Sequence, residues 1–172
     1  MGSTVHLLVI DNRESFVYNV VELLRSLPEL TFEVIPEGEL ELSSLPEHDG
    51  LILSPGPGVP SEFPRMQALI RAEAGIKPIL GICLGHQALA EHYGATLVQL
   101  PAPRHGHASA LEVIDPADSL VGAIPTGSLV GRYHSWAVDD ASLPSCLVPT
   151  AYCADADEGR VLMAMRHCTD PV

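Results

Sequence analysis

Basic residues are scarce in this chain. Nine Lys and Arg stand against 22 Asp and Glu over 172 residues, for a formal net charge of −13. Binding a nucleic acid or an anionic membrane surface calls for clustered cations, so both partners are excluded. Long hydrophobic runs are missing too. Although 47% of the residues are hydrophobic, no apolar stretch reaches the ~20 residues a membrane-spanning helix needs. The start of the chain shows no charged, apolar, small-residue export pattern; residues 5–10 form a strand-length run leading straight into Asp11. Cysteine is limited to positions 83, 146, 153 and 168, with no paired metal spacing. No metal site is expected, and the thiols read as reduced, in a cytoplasmic protein. Without a linker, repeat or low-complexity tract, residues 1–172 are expected to form one domain, large enough for a real core.

What is present in the first half is alternation. Residues 5–10 read as a buried strand, followed by the polar turn Asp11-Asn12-Arg13-Glu14-Ser15. Residues 16–27 place apolar side chains at 16, 17, 20, 21, 24 and 27, a helical spacing that Pro28 stops. Strands are expected over 31–35, 48–54 and 78–82, and a second helix over 63–74, closed by Gly75. Such βα alternation implies a parallel sheet with helices on both faces and ligands at the carboxyl ends of the strands. Beyond Gly94 the character changes. Residues 96–100, 110–114, 128–138, 146–151 and 160–166 read as strands separated by Pro, Gly and Asp, and are expected to extend the sheet through hairpins.

The most informative stretch is Gly81-Ile82-Cys83-Leu84-Gly85-His86-Gln87. An apolar strand ends at Gly81-Ile82 and a helix-like segment opens at Gly85, which puts Cys83 at the apex of a sharp turn. This is the cysteine counterpart of the Gly-x-Ser-x-Gly elbow. A thiol there sits at a helix N-terminus, whose partial positive charge favours thiolate. The competing reading is a buried cysteine that merely ends a core strand. Upstream, Ser54-Pro55-Gly56-Pro57-Gly58 closes another strand. Two prolines fix φ and two glycines free it, so the loop can aim backbone N–H groups at a developing oxyanion, though many such loops are only turns.

Taken together, these motifs resemble the class I (triad) glutamine amidotransferases. The shared pieces are Asp11-Asn12-x-x-Ser15-Phe16-x-x-Asn19, Ser54-Pro-Gly-Pro-Gly58, Gly81-x-Cys83-Leu84-Gly85-His86-Gln87, His105-Gly106 and Arg132-Tyr133-His134-Ser135. Within that family the chain is most similar to the small subunits of anthranilate synthase and aminodeoxychorismate synthase, over essentially its whole length. The resemblance implies an α/β fold: a flavodoxin-like parallel-core sheet flanked by helices, with added C-terminal strands. It implies that Cys83 attacks the side-chain amide of L-glutamine to give a thioester and ammonia. The backbone N–H groups at Gly56 and Leu84 would form the oxyanion hole. Gly56, Pro57, Gly58, Gln87, Ser135 and Trp136 would bind the substrate. Ammonia would pass to a larger chorismate-binding synthase subunit, in tryptophan or folate biosynthesis. No cofactor is implied.

One departure bears on activity. The family draws its catalytic histidine and glutamate from a Gly-Val-Gln-Phe-His-Pro-Glu-Ser segment, which here would begin where the sequence reaches Asp170-Pro171-Val172. The C-terminal part of the domain is therefore expected to be missing, and with it the base for Cys83. His134 is a weak substitute candidate. His86 and His167 read as structural residues, and His105 and His107 lie in a loop expected to face the partner. Two alternatives to a glutaminase subunit follow: a catalytically incomplete fragment or binding subunit, and a stand-alone α/β cysteine hydrolase.

Overall fold

The computed structural model describes residues 4–102, 106–155 and 159–172. They form two compact units, one over Met1–His92 with Asp170–Val172, the other over Tyr93–Thr169.

The first unit holds strands β1 (Val5–Asp11), β2 (Leu30–Pro36), β3 (Gly50–Leu53) and β4 (Ile79–Gly81), with helices α1 (Val17–Arg25), α2 (Pro64–Glu73) and α3 (Leu84–His92). All strand pairs are parallel, in the order β2-β1-β3-β4. Because side chains alternate along a strand, each strand serves two layers. Val9 pairs with Ile52, and Ile52 with Leu80. These face Val17 and Leu24 of α1 in one cluster. Leu53 has the opposite parity, and Gly85 of α3 packs directly on it. Strand β3 is buried along its whole length, as a strand covered on both faces must be. Helix α2 starts with Pro64, whose missing N–H costs nothing at a first helical position. It stops before Gly75, at φ +78°. The order reverses between β1 and β3, and in open α/β sheets ligands bind outside the carboxyl ends of the strands at such a switch point. Along β4, the Ile79 N–H donates to the Pro171 carbonyl at 2.8 Å.

The second unit holds β5 (Leu97–Gln99), β6 (His107–Val113), β7 (Leu129–Arg132), β8 (Trp136–Val138), β9 (Leu147–Asp155) and β10 (Gly159–His167). The sequence patterning suggested extension of the first sheet. Among the described residues these strands pair with one another instead, as an antiparallel sheet β10-β9-β6-β7 and a ribbon β5-β8. Their burial explains the difference. β6 alternates exposed and buried residues, the mark of an antiparallel sheet with one wet face. The stretch 128–138, expected as one strand, is two. It breaks at residues 133–135, and β7 and β8 join different sheets.

Candidate active site

The elbow forms as its residue types require. Cys83 has φ +54°, a left-handed conformation that costs a side-chain-bearing residue about 1–3 kcal/mol. Helix α3 follows at once, and the Cys83 carbonyl accepts its first-turn bond from the Gln87 N–H at 3.0 Å. The flanking glycines are forced by close approach. A Cβ on Gly81 would lie 2.6 Å from the Gly85 carbonyl oxygen and the His86 nitrogen, and one on Gly85 would lie 2.6 Å from Leu53 Cβ. Only with both side chains absent can α3 start this close behind β3 and β4.

The thiol is half-buried, and its electrostatics correct one expectation. Burial pushes the Cys83 thiol above its ordinary 9.0, the Leu84 backbone N–H pulls it down by hydrogen bonding, and the Glu14 carboxylate pushes it up again. Desolvation of the charged form outweighs the helix terminus, so the side chain rests as a thiol rather than a thiolate. Glu14 belongs to the first loop, and nothing in its sequence position signalled that its charge acts on Cys83.

The same loop is locked to the end of β3. Asn12 and Ser54 are both buried. The Asn12 N–H donates to Ser54 Oγ at 3.0 Å, Asn12 Nδ2 donates to the Ser54 carbonyl at 2.8 Å, and the Ser54 hydroxyl donates to the Pro55 carbonyl at 2.8 Å. Gly56 is wedged between Asn12 and Leu84: a Cβ there would meet Leu84 Cδ2 and come within 2.8 Å of Asn12 Cβ. The fold thus brings Gly56 against Leu84, the residue that follows Cys83. Pro57 and Gly58 are exposed. Gly58 has φ +68°, and the Glu62 carboxylate occupies the space where its side chain would go. That carboxylate accepts the Val59 N–H at 3.2 Å. Gln87 is buried on the first turn of α3.

A second support was not visible in the sequence. Arg13 has φ +64°, and its guanidinium lies 3.1 Å from Glu37 Oε2 and over the Phe63 ring at 5.2 Å. Glu37 is 1% exposed and accepts the Arg65 N–H at 3.0 Å. A carboxylate from the end of β2 therefore ties the first loop to the start of α2. No local pattern marks such a residue, because a glutamate in a polar connection normally faces water.

Ser135 and Trp136 lie in the second unit, Cys83, Leu84, Gln87 and Gly56–58 in the first. Arg132 is fully buried, and its Nε–H donates to His134 Nε2 at 3.2 Å. His134 Nδ1–H donates to the Trp136 carbonyl at 2.9 Å. Both ring nitrogens are engaged, and the donors fix the neutral Nδ1–H tautomer. That removes His134 as a base and makes it the strut of the turn carrying Ser135, whose carbonyl accepts the Leu100 N–H at 2.9 Å. His167 stacks on Tyr93 with centroids 4.4 Å apart. His107 is exposed on β6 opposite Arg132, and His105 lies outside the described residues. Among the described residues no group of three or more His, Cys, Asp or Glu is placed to hold a metal, and no helix is long and apolar enough to cross a membrane.

A parallel sheet in this order, with a cysteine on a strand–turn–helix elbow behind its last strand, defines the first unit as an α/β fold. The chain belongs to the class-I glutamine amidotransferase family, whose model matches residues 8–172. It is 38% identical to aminodeoxychorismate synthase component 2 of Serratia marcescens, covering 94% of this chain and 84% of that protein. It is 34% identical to anthranilate synthase component 2 of Azospirillum brasilense, covering 96% and 83%. In fold it matches a glutamine amidotransferase from Thermotoga maritima with a TM-score of 0.67 at 19% identity, over 92% of this chain and 70% of that one.

Proposed function

We propose that this chain is the glutaminase subunit of a chorismate-aminating synthase, and that its two compact units work as one amidotransferase domain. The observation that carries the proposal is Cys83 at φ +54° on the elbow, with Gly56 packed against Leu84. The Cys83 sulfur, once deprotonated, attacks the amide carbon of glutamine. The backbone N–H groups of Gly56 and Leu84 receive the oxyanion, as an amide requires because it is a poor electrophile. Collapse of the tetrahedral intermediate breaks the C–N bond, the leaving nitrogen takes a proton, and ammonia departs from a glutamyl thioester. Water then releases glutamate. The names of the relatives support the destination: ammonia passes to a larger synthase subunit that aminates chorismate, and that subunit decides between anthranilate and aminodeoxychorismate. Four free thiols suit a reducing, cytoplasmic setting.

A second reading, glutamine or partner binding without turnover, is favoured by two observations. Burial holds Cys83 protonated, and His134 has both nitrogens occupied. The test is steady-state release of glutamate from glutamine in the presence of the synthase subunit. Turnover that disappears in Cys83→Ser, with ammonia-dependent amination retained, supports the first reading. Saturable glutamine binding with no glutamate released supports the second. Retained glutamine use in Cys83→Ser defeats the nucleophile assignment.

A further inference from the structure

A polar cleft opens in the first unit, at the amino ends of the parallel strands. His6 lies at the start of β1, Asp49 just before β3 and Lys77 just before β4, whereas Gly56 and Cys83 follow the carboxyl ends of β3 and β4. The cleft measures about 620 Å³, within the ~300–1,000 Å³ of small-molecule sites. Three carboxylates, Glu47, Asp49 and Glu73, line it against one ammonium, Lys77. Two of these four are already engaged: Asp49 Oδ2 accepts the His6 N–H at 2.8 Å, and Lys77 Nζ donates to the His48 carbonyl. His48 is the unusual member. Its side chain is 5% exposed, and its Nδ1–H donates to the Pro46 carbonyl at 2.9 Å. In the neutral ring that bond leaves an acceptor lone pair on Nε2. Nε2 has no hydrogen-bond partner among the described residues. Glu73 Oε2 stands 3.9 Å from it, too far for a direct hydrogen bond and itself an acceptor. Buried polar atoms are almost always paired, so an orphan in the wall of a cleft points to a ligand that supplies the missing donor.

We propose that this cleft is a binding site for a small primary alkylammonium compound. One –NH3+ group carries donors for both acceptors at once. A nitrogen lying between His48 Nε2 and Glu73 Oε2, which are 3.9 Å apart, reaches each at an ordinary hydrogen-bond distance. The bond to Glu73 is charge-assisted. A carboxylate or phosphate ligand brings no donor for His48 and meets an excess of negative charge. A metal ion does not fit either: among the described residues no group of three or more His, Cys, Asp or Glu is placed to hold one. The alkyl chain lies along Leu42, Leu45 and Pro46, the apolar part of the lining. Occupancy ties the segment before β3 to the end of α2, at the end of the sheet remote from the elbow. This site stands independently of the glutaminase reading.

The experiment titrates the full chain with n-butylammonium and follows the backbone amide and histidine ring signals by NMR. The proposal expects saturable shifts at the cleft residues His48, Asp49, Glu73 and Lys77, with the His48 Nε2 signal moving as its lone pair accepts a bond. Tetramethylammonium carries the same charge without an N–H and should leave these signals in place. Glu73→Gln should weaken binding about tenfold or more, the loss of a hydrogen bond to a charged group. His48→Asn deletes Nε2 but keeps an N–H where Nδ1 stood, for the Pro46 carbonyl, and should weaken binding as well. Absence of saturable shifts, equal shifts with tetramethylammonium, or unchanged affinity in both variants would overturn the proposal. So would a His48 ring that already carries a proton on Nε2 before any amine is added.

Discussion

Cys83 is held in a conformation and an environment that pull in opposite directions. The turn sets Cys83 at the apex of the elbow, while burial and Glu14 push its pKa up. Haloacetamide labelling of Cys83 in the free protein should therefore climb about tenfold per pH unit through pH 9; a plateau reached below pH 8 would mean the helix terminus dominates after all. Stability follows the same sign. The folded state keeps the Cys83 proton above the ordinary 9.0, so the stabilisation is complete below pH 9 and is lost as pH rises through the folded value. Urea midpoints taken on either side of pH 9 should fall more steeply for the unmodified sequence than for Cys83→Ala. The glycines offer a sharper contrast. Gly81→Ala places a methyl 2.6 Å from backbone atoms of α3, whereas a Cβ on Gly38 meets nothing within 4 Å. The first should cost about 1–3 kcal/mol and the second less than about 0.5 kcal/mol, as read from denaturant unfolding. The elbow residues were legible because tight backbone turns select glycine by its missing side chain. The direction of the thiol shift was not, because it depends on how deep the sulfur sits and on a carboxylate from a different loop.

Elements with their own periodicity were read well, and those defined by long-range pairing were not. Helix α1 carries its buried residues at Val17, Val21 and Leu24, a spacing plain in the sequence. The break at residues 133–135 was invisible, because Arg132 and Trp136 become partners of one histidine only when the chain folds. His134→Ala should therefore loosen the Ser135–Trp136 turn and raise the glutamine KM more than it lowers kcat. A loss in kcat alone, with KM unchanged, would return His134 to the reacting atoms. The tie from Glu37 is a comparable case. Glu37→Ala leaves the Arg65 N–H without its acceptor and should cost about 1–3 kcal/mol. Arg13→Ala removes a largely exposed partner and should cost less than about 1 kcal/mol. Equal losses in thermal or urea unfolding would contradict that ranking.

At the scale of the whole molecule, the βα repeat of the first unit and the strand-rich second unit were both legible from where helical spacing stops, after α3. The separate sheet of the second unit was not, because short strands with one apolar face pair equally well along an existing sheet or with one another. Family membership accords with the parallel order β2-β1-β3-β4 and the elbow at its end. The measurement that tests the nucleophile assignment most directly uses a diazoketone analogue of glutamine, incubated with the full chain and followed by intact mass and peptide mapping. The assignment predicts one adduct, on Cys83, slowed by excess glutamine and absent in Cys83→Ser. An adduct on another cysteine, or glutamine turnover that persists while Cys83 stays unlabelled, would contradict it.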